Sequence, residues 1–195
     1  MLGDVDLVED IEAFVATIDG PGRSNSLGQK LVQLAGPGVP DVYQGTERFE
    51  YSLVDPDNRR PIDWEHLRGI LERLDEGWLP DIDAGGAAKV LVTATALRVR
   101  RDRPQLFTGY RPLAAEGPAA EHVIAFSRSP RLVAAATRLP IGLARSDGWA
   151  DTVLPLPGGA TGWREAITGE PVETSAPGLA ALLGRYPVAL LVRED

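Results

Sequence analysis

Two polar runs, at positions 36–47 and 52–63, hold the side chains best suited to chemistry in this sequence. Their carboxylates, amides and guanidinium groups offer hydrogen bonds in fixed directions, and the tyrosine adds a flat ring that can stack on a ligand. Arginines next to carboxylates can brace them through paired hydrogen bonds. These groups are suited to binding a polar ligand. The candidate binding residues are Tyr43, Gln44, Glu47, Asp55, Asp57, Asn58, Arg59 and Arg60.

The same residues also have a purely structural interpretation. Asp55-Pro56-Asp57-Asn58 is a common turn composition, because Pro presets the backbone and Asp and Asn bond to nearby amides. Arg59 and Arg60 would then only pin the loop, and Tyr43 would be a core residue. Both interpretations stay open at this point.

Several other kinds of site are excluded by residue type and spacing. Asp55 and Asp57 begin like a calcium loop, but Arg60 stands where glycine is needed and His66 where glutamate is needed. The chain has no cysteine and two histidines, His66 and His122, which lie far apart. The chain therefore has too few suitable residues for a histidine- or thiolate-based metal site or for a Ser-His-Asp triad. We expect no metal and no cofactor.

Composition narrows the class of protein further. The 195 residues carry a formal net charge of −8, which argues against a nucleic-acid partner. No apolar run approaches the roughly 20 residues that a membrane-spanning helix needs. The N-terminus is acidic and lacks the basic start of a secretory signal. We therefore expect a cytoplasmic protein with no membrane partner.

The elements that must position the polar runs are predicted from apolar spacing and helix breakers. The spacing predicts a helix over positions 5–17 that ends before Asp19-Gly20-Pro21-Gly22, and a second from Asn25 or Ser26 to Gly36-Pro37-Gly38. The short apolar segment Val39–Tyr43 is typical of a buried strand. A helix, a tight turn and a strand form the repeating unit of a parallel α/β fold.

Further elements follow the second polar run. Helical spacing predicts a helix with Asp63 as its N-cap and another over positions 87–101. After position 110 the texture changes to short strands. Two runs, His122–Arg128 and Arg131–Arg138, flank Ser129-Pro130 and predict a hairpin, and more strands are expected at 152–156, 163–167 and 187–192. The second region is therefore predicted to be an antiparallel β-sandwich.

Both polar runs resemble a known family. Gly36-Pro37-Gly38-Val39-Pro40-Asp41-Val42-Tyr43-Gln44-Gly45-Thr46-Glu47 resembles the eighth barrel strand and following loop of the α-amylase superfamily. Ser52-Leu53-Val54-Asp55-Pro56-Asp57-Asn58-Arg59-Arg60-Pro61-Ile62-Asp63, so close behind it, resembles malto-oligosyltrehalose synthases in particular. Further matches run in order from Asn25-Ser26-Leu27 to Pro187–Leu191. The resemblance covers nearly the whole chain.

The resemblance implies a fold and an activity. The fold class is α+β: residues 1–108 would be the last helices and eighth strand of a catalytic (β/α)₈ barrel, and 109–195 a C-terminal antiparallel β-sandwich domain. The activity is an intramolecular transglucosylation, which converts the reducing-end α-1,4 linkage of a malto-oligosaccharide into an α,α-1,1 linkage in trehalose biosynthesis. Such a glucosylmutase is an isomerase, and its chemistry is retaining, with a covalent glycosyl intermediate.

The resemblance also implies where the site lies. The nucleophile, the acid/base and a third acidic residue follow the fourth, fifth and seventh strands in this superfamily, so all three are expected upstream of Met1. No residue of this chain is expected to be catalytic, and the chain alone is expected to be inactive. The eight candidate binding residues would form a wall of the sugar cleft, because barrel sites lie at the C-terminal ends of the strands.

One strand and a few helices cannot close a barrel. We therefore expect one of three states: association with the missing N-terminal part of the barrel, self-association, or packing of the helices on the chain's own sheet. Two other functions stay open. The chain could be a non-catalytic module that binds glucan or scaffolds a partner, or a fragment of another α-amylase-type enzyme.

Overall fold

The helices of this protein precede its sheet along the chain. The computed structural model describes residues 5–51, 61–159 and 161–193. Three long helices come first: α1 (Val5–Ala35), α2 (Trp64–Asp75) and α3 (Ala87–Asp102). Two short helices, α4 (Pro140–Arg145) and α5 (Leu179–Leu182), lie between strands. Single 3₁₀ turns occur at Pro104–Phe107, Ala120–His122 and Pro157–Gly159.

Six strands form one antiparallel sheet. They are β1 (Arg111–Leu113), β2 (Val123–Ser129), β3 (Leu132–Thr137), β4 (Trp163–Glu165), β5 (Pro171–Val172) and β6 (Val188–Arg193). Their order across the sheet is β1-β2-β3-β6-β4-β5. The predicted hairpin is confirmed as β2–β3, with a register irregularity between Ser127 and Ser129. The strand predicted at 152–156 is wrong: no strand forms there, and Val153 makes isolated bridges to Glu116 and Gly178.

The predicted break between the first two helices is wrong. α1 runs without interruption through Gly20-Pro21-Gly22. Proline removes one amide donor and deprives the carbonyl four residues earlier, that of Thr17, of its helical partner. Thr17 lies on the exposed half of α1, where water can bond to that carbonyl. The helix therefore tolerates a proline that would break a buried one.

Val39–Tyr43, the predicted buried strand, is not a strand among the described residues, and its place in a barrel stays a prediction. The segment has no regular secondary structure and pairs with none of the described strands, and Val39 is 95% exposed. A strand is stabilised by the neighbours that bond to its amides and carbonyls. The six described strands all belong to the sheet that begins at Arg111, and none of them lies beside this segment.

The predicted β-sandwich is wrong: the region is a single sheet, buried on both faces. One face, with Phe126, Ala134 and Leu190, packs against the three long helices. The other face, with Val133, Leu191 and Trp163 of β4, packs against Leu154 and Leu179 from the connections between strands. All six residues of β3 are buried as a result. Helices cover one face and the connections between strands cover the other, so no face is left for a second sheet.

The helices dock on the sheet through small residues and well-placed caps. A Cβ added at Gly28 of α1 would lie 3.5 Å from the Cβ of Ala136 on β3, so this helix and strand approach closely. The predicted cap of α2 is confirmed, since the Asp63 carboxylate accepts from the His66 amide at 2.9 Å. Tyr186, just before β6, donates to the carbonyl of Pro80 at 2.7 Å. The three long helices pack on the chain's own sheet, and the choice between the three expected states stays a prediction.

The division at residue 108 stays a prediction, because helices and sheet share one hydrophobic cluster. Within the described ranges, every helix is too short or too polar to cross a membrane.

Candidate functional site

The first polar run forms a tight turn after α1. The amide of Thr46 donates to the carbonyl of Tyr43 at 3.1 Å, and the Thr46 hydroxyl donates to the same carbonyl at 2.6 Å. The Glu47 carboxylate folds back and accepts from the amide of Gly45 at 2.7 Å. Gly45 has φ of 90°, a left-handed conformation that favours glycine. The Tyr43–Glu47 turn is therefore held by its own polar groups.

Neighbouring elements hold this turn in place. Gln33 of α1 donates to the carbonyl of Asp41 at 2.6 Å, just before the turn. Arg48, just after it, donates through Nε to the carbonyl of Gly85 at 3.2 Å. Gly86, the N-cap of α3, lies so close to Phe49 that an added Cβ would be 3.3 Å from the Phe49 amide nitrogen. The turn is thus clamped between the end of α1 and the beginning of α3.

Two arginines fix the C-terminal end of α1, where the chain enters the turn. Arg128 of β2 is buried and donates to the carbonyls of Ala35 (2.8 Å), Gly109 (2.6 Å), Gly36 and Phe107. Arg100 of α3 donates to the carbonyls of Leu34 (2.8 Å) and Gly38. Positive charge at a helix C-terminus is stabilised by the helix dipole. Burial lowers the pKa of Arg128, and the charge of Arg100 acts in the same direction.

Two lysines converge on the turn from different helices. Lys30 of α1 donates to the Thr46 hydroxyl at 3.3 Å, and the ammonium of Lys89 of α3 lies 5.6 Å from the centre of the Phe49 ring. Burial lowers the pKa of Lys30, while the charge of Glu47 raises it. Burial, followed by the charge of Lys30, lowers the pKa of Lys89 to about 8, against the attraction of Glu47 and Glu50. The two ammonium groups and the Glu47 carboxylate form one electrostatic cluster.

Sequence reasoning missed this cluster, although the composition contains a signal for it. Of the 20 Lys and Arg residues, only Lys30 and Lys89 are lysines. Because nearly every basic residue of this chain is an arginine, the two lysines stand out as residues to examine. Nothing in their local spacing places them next to Glu47, since that contact depends on how α1 and α3 pack.

The structure places three of the eight candidate binding residues. Tyr43 is 53% exposed, so the interpretation of it as a core residue is wrong for this chain. Gln44 is exposed and Glu47 half-buried. These three side chains are brought together on one turn. Asp55, Asp57, Asn58, Arg59 and Arg60 lie outside the described residues.

Two cavities flank the loop that follows α1. A cavity of about 410 Å³ lies between α2 and α3 and is lined by Glu47, Trp64 and Arg68 among mostly apolar groups. A second, of about 280 Å³, lies against α1 and is lined by Arg23 and by Phe49 and Tyr51, whose rings stack at 6.3 Å. Aromatic rings beside charged, planar groups are suited to binding polar rings. No group of three or more acidic or histidine side chains in the described ranges could hold a metal ion.

Comparison with known proteins supplies the family context. No family model matches the chain. A curated protein of Mycobacterium tuberculosis (strain CDC 1551 / Oshkosh), described as a putative maltooligosyl trehalose synthase, is 42% identical over 191 residues, covering 97% of this chain and 23% of that protein. The chain thus spans about a quarter of the length of the curated relatives it matches.

Solved structures agree with the sequence comparison. The maltooligosyltrehalose synthase from Arthrobacter ramosus is 51% identical with a TM-score of 0.90, covering 95% of this chain and 24% of that one. A second crystal structure of a maltooligosyl trehalose synthase is 25% identical with a TM-score of 0.73, covering 98% of this chain and 24% of that one. The resemblance to malto-oligosyltrehalose synthases is thereby confirmed.

Proposed function

We propose that this chain, which belongs to the maltooligosyl trehalose synthase family as its C-terminal region, is the non-catalytic part of an intramolecular transglucosylase. The complete enzyme would convert the reducing-end α-1,4 linkage of a malto-oligosaccharide into an α,α-1,1 linkage. The observation that carries the proposal is the match at 51% identity and a TM-score of 0.90 over 95% of the chain. An independent fold with a borrowed motif would match over a short segment only.

In this proposal Val39–Tyr43 is the eighth strand of a (β/α)₈ barrel whose other strands come from the rest of the enzyme. Two observations support it. The segment is neither helical nor paired with any described strand, and Val39 and Tyr43 are both largely exposed. An apolar residue such as Val39 is costly to expose, and pairing with a neighbouring strand would remove it from water.

The Tyr43–Glu47 turn would then border the sugar cleft, since barrel sites lie at the C-terminal ends of the strands. The exposed Tyr43 ring can stack on a pyranose, and Gln44 and Glu47 can bond to its hydroxyls. The catalytic carboxylates would come from the rest of the enzyme. The turn would hold the reducing-end glucose while it reorients and would limit the access of water to the covalent intermediate.

The partner in this proposal is the remainder of the barrel, and α1 carries the surface for it. The exposed half of this helix presents five apolar side chains at helical spacing, which we call the α1 apolar face: Leu7, Ile11, Phe14, Val15 and Ile18. Side chains at this spacing lie on one side of a helix and are typical of a buried contact.

The direct test is reconstitution. The chain would be assayed alone and together with the upstream three quarters of the Mycobacterium tuberculosis relative, by loss of reducing ends from maltopentaose. We expect activity only in the mixture. Turnover by the chain alone would contradict the placement of the carboxylates, and an inactive mixture whose two pieces co-sediment would contradict the proposed function.

The reconstituted enzyme also tests the role of the turn. Tyr43→Ala and Gln44→Ala should lower the ratio of transfer to hydrolysis by about tenfold, because a poorly held glucose leaves the intermediate open to water. Tyr110→Ala is the matched control, since Tyr110 is equally exposed (56%) and lies beside a ring, that of Phe126, at the sheet. Equal ratios in the Tyr43 and Tyr110 variants would argue against a role of the turn in holding the sugar.

A further inference from the structure

The two lysines of this chain are both almost completely buried. Lys30 is 6% exposed and Lys89 is 8% exposed, although the long flexible ammonium side chain normally reaches water. Burying two like charges near each other is unfavourable, because each loses hydration and each repels the other. Such an arrangement needs compensation from the groups around it.

The compensation comes from the Tyr43–Glu47 turn and the residues that follow it. Lys30 donates to the Thr46 hydroxyl, which in turn donates to the carbonyl of Tyr43. Lys89 lies over the Phe49 ring. The Glu47 carboxylate acts on both ammonium groups, and Glu50 acts on Lys89. Two helices therefore contribute one cation each to a turn that contributes the anion.

The choice of lysine over arginine is informative here. Arginine is used at the other 18 basic positions, including Arg128, where a planar fork reaches four carbonyls. A guanidinium is larger and always charged, whereas an ammonium is a compact point charge that can lose its proton. We infer that the position beside Glu47 favours the smaller ammonium group over a guanidinium.

We propose that Lys30 and Lys89 are positioning residues, which act through Glu47 and Thr46 to hold the Tyr43–Glu47 turn in the conformation from which it contacts its ligand. The assignment of the ligand as a sugar rests on the proposed function. The contacts between the lysines and the turn do not depend on it.

The surroundings of Lys89 make the stability of the turn depend on pH. Lys89 is faced by Lys30 from α1 and by Glu47 and Glu50 from the loop, with Arg48 and Arg68 flanking Glu47. Its pKa is lowered to about 8, so it is charged below that pH and neutral above it. As the pH rises through 8, the turn loses one of its two cations. The turn should therefore loosen on the alkaline side.

The first test uses the 195-residue chain alone. Selective isotope labelling of lysine gives two side-chain NMR signals, which Lys30→Arg and Lys89→Arg assign. We expect Lys89 to titrate near pH 8, Glu47→Gln to lower the pKa of both lysines, and Lys30→Met to raise that of Lys89. Glu173→Gln, at an exposed glutamate in the sheet region, is the control and should change neither. Titrations that Glu47→Gln leaves unchanged would overturn the proposal.

The second test measures the turn itself. Hydrogen exchange of the Thr46 and Arg48 amides should become about tenfold faster in Lys30→Met and Lys89→Met, with amides of β3 unaffected. In the reconstituted enzyme, activity should fall as the pH rises through 8, and Lys89→Met should remove that alkaline limb. Unchanged exchange in both variants would overturn the positioning role. An inactive mixture with faster exchange would count against the proposed function alone.

Discussion

Arg128 shows at the scale of one residue how the sheet controls the segment that leads to the turn. Its guanidinium reaches the last carbonyls of α1 and those of Phe107 and Gly109. These are groups that a helix or a loop leaves unpaired, and a buried unpaired carbonyl is costly. A single side chain from β2 therefore satisfies two separate stretches of backbone.

Substitution of Arg128 should therefore be costly even when charge is kept. Both Arg128→Lys and Arg128→Met should lower the free energy of unfolding by about 2–4 kcal/mol, because lysine cannot match the fork and methionine leaves the carbonyls unpaired. Urea denaturation measures this. Arg145→Met, at an exposed arginine of α4, should change it by less than about 0.5 kcal/mol. A loss of stability in Arg128→Met but not in Arg128→Lys would show that charge alone matters.

Sequence patterns predict the role of a residue correctly when its partner lies a few residues away along the chain. Asp63 is a cap because its carboxylate bonds to an amide three residues ahead, and the sequence predicts this correctly. Arg128 and Lys89 act across 93 and about 40 residues of chain, so their partners depend on packing that spacing does not encode. The family resemblance, by contrast, rests on contiguous letters and could be identified directly.

At the scale of elements, the contact between α1 and β3 is a close joint between a helix and the sheet. Gly28 lies on the buried side of α1, where its neighbours across the interface are Ala136 and the carbonyl of Thr137. Leu27, Leu31 and Leu34 on the same helix are fully buried. Small residues at the point of closest approach let the larger ones interdigitate around it.

This joint predicts opposite outcomes for two small changes. In Gly28→Ala the new Cβ would make ordinary contact at 3.5 Å, and the gain in helix propensity should raise the free energy of unfolding by up to about 1 kcal/mol. In Ala136→Leu the added volume has no room and should lower it by about 1–3 kcal/mol. Thermal and urea denaturation of both variants check this. A destabilised Gly28→Ala would mean that the joint is closer than described.

Element types were more predictable than element boundaries and partners. α2, α3 and the β2–β3 hairpin follow their apolar spacing. α1 crosses a Gly-Pro-Gly sequence because exposure removes the cost of one missing bond, and exposure is not visible in the letters. Val39–Tyr43 has the composition of a strand, but a strand also needs neighbours, and none of the described strands pairs with it.

At the scale of the whole molecule, the protein combines a well-packed centre with an uncovered arm. The sheet is buried on both faces, while the α1 apolar face is exposed. Soluble proteins seldom leave such a face open unless something binds it. The sequence predicts neither the burial of both sheet faces nor the exposure of the α1 apolar face. An apolar pattern along a helix or strand does not show whether another element will cover those side chains.

The α1 apolar face should govern association without affecting stability. The double variant Ile11→Asp/Phe14→Asp should bind less hydrophobic dye and should no longer bind the upstream part of the enzyme. Its free energy of unfolding should change by less than about 0.5 kcal/mol, because these side chains contribute little to the core. Ile141→Asp, at an exposed isoleucine of α4, is the matched control. Sedimentation with the upstream piece measures the association, and unchanged binding would contradict the prediction.

The position of β6 has a consequence for how the protein is made. This strand lies in the middle of the sheet, between β3 and β4, yet it is the last element of the described chain to leave the ribosome. At about 5–20 residues per second, the turn after α1 would wait on the order of ten seconds before the sheet that anchors α1 can close. A premature stop codon shortly before position 188 would therefore disorder the turn, although that turn was translated long before.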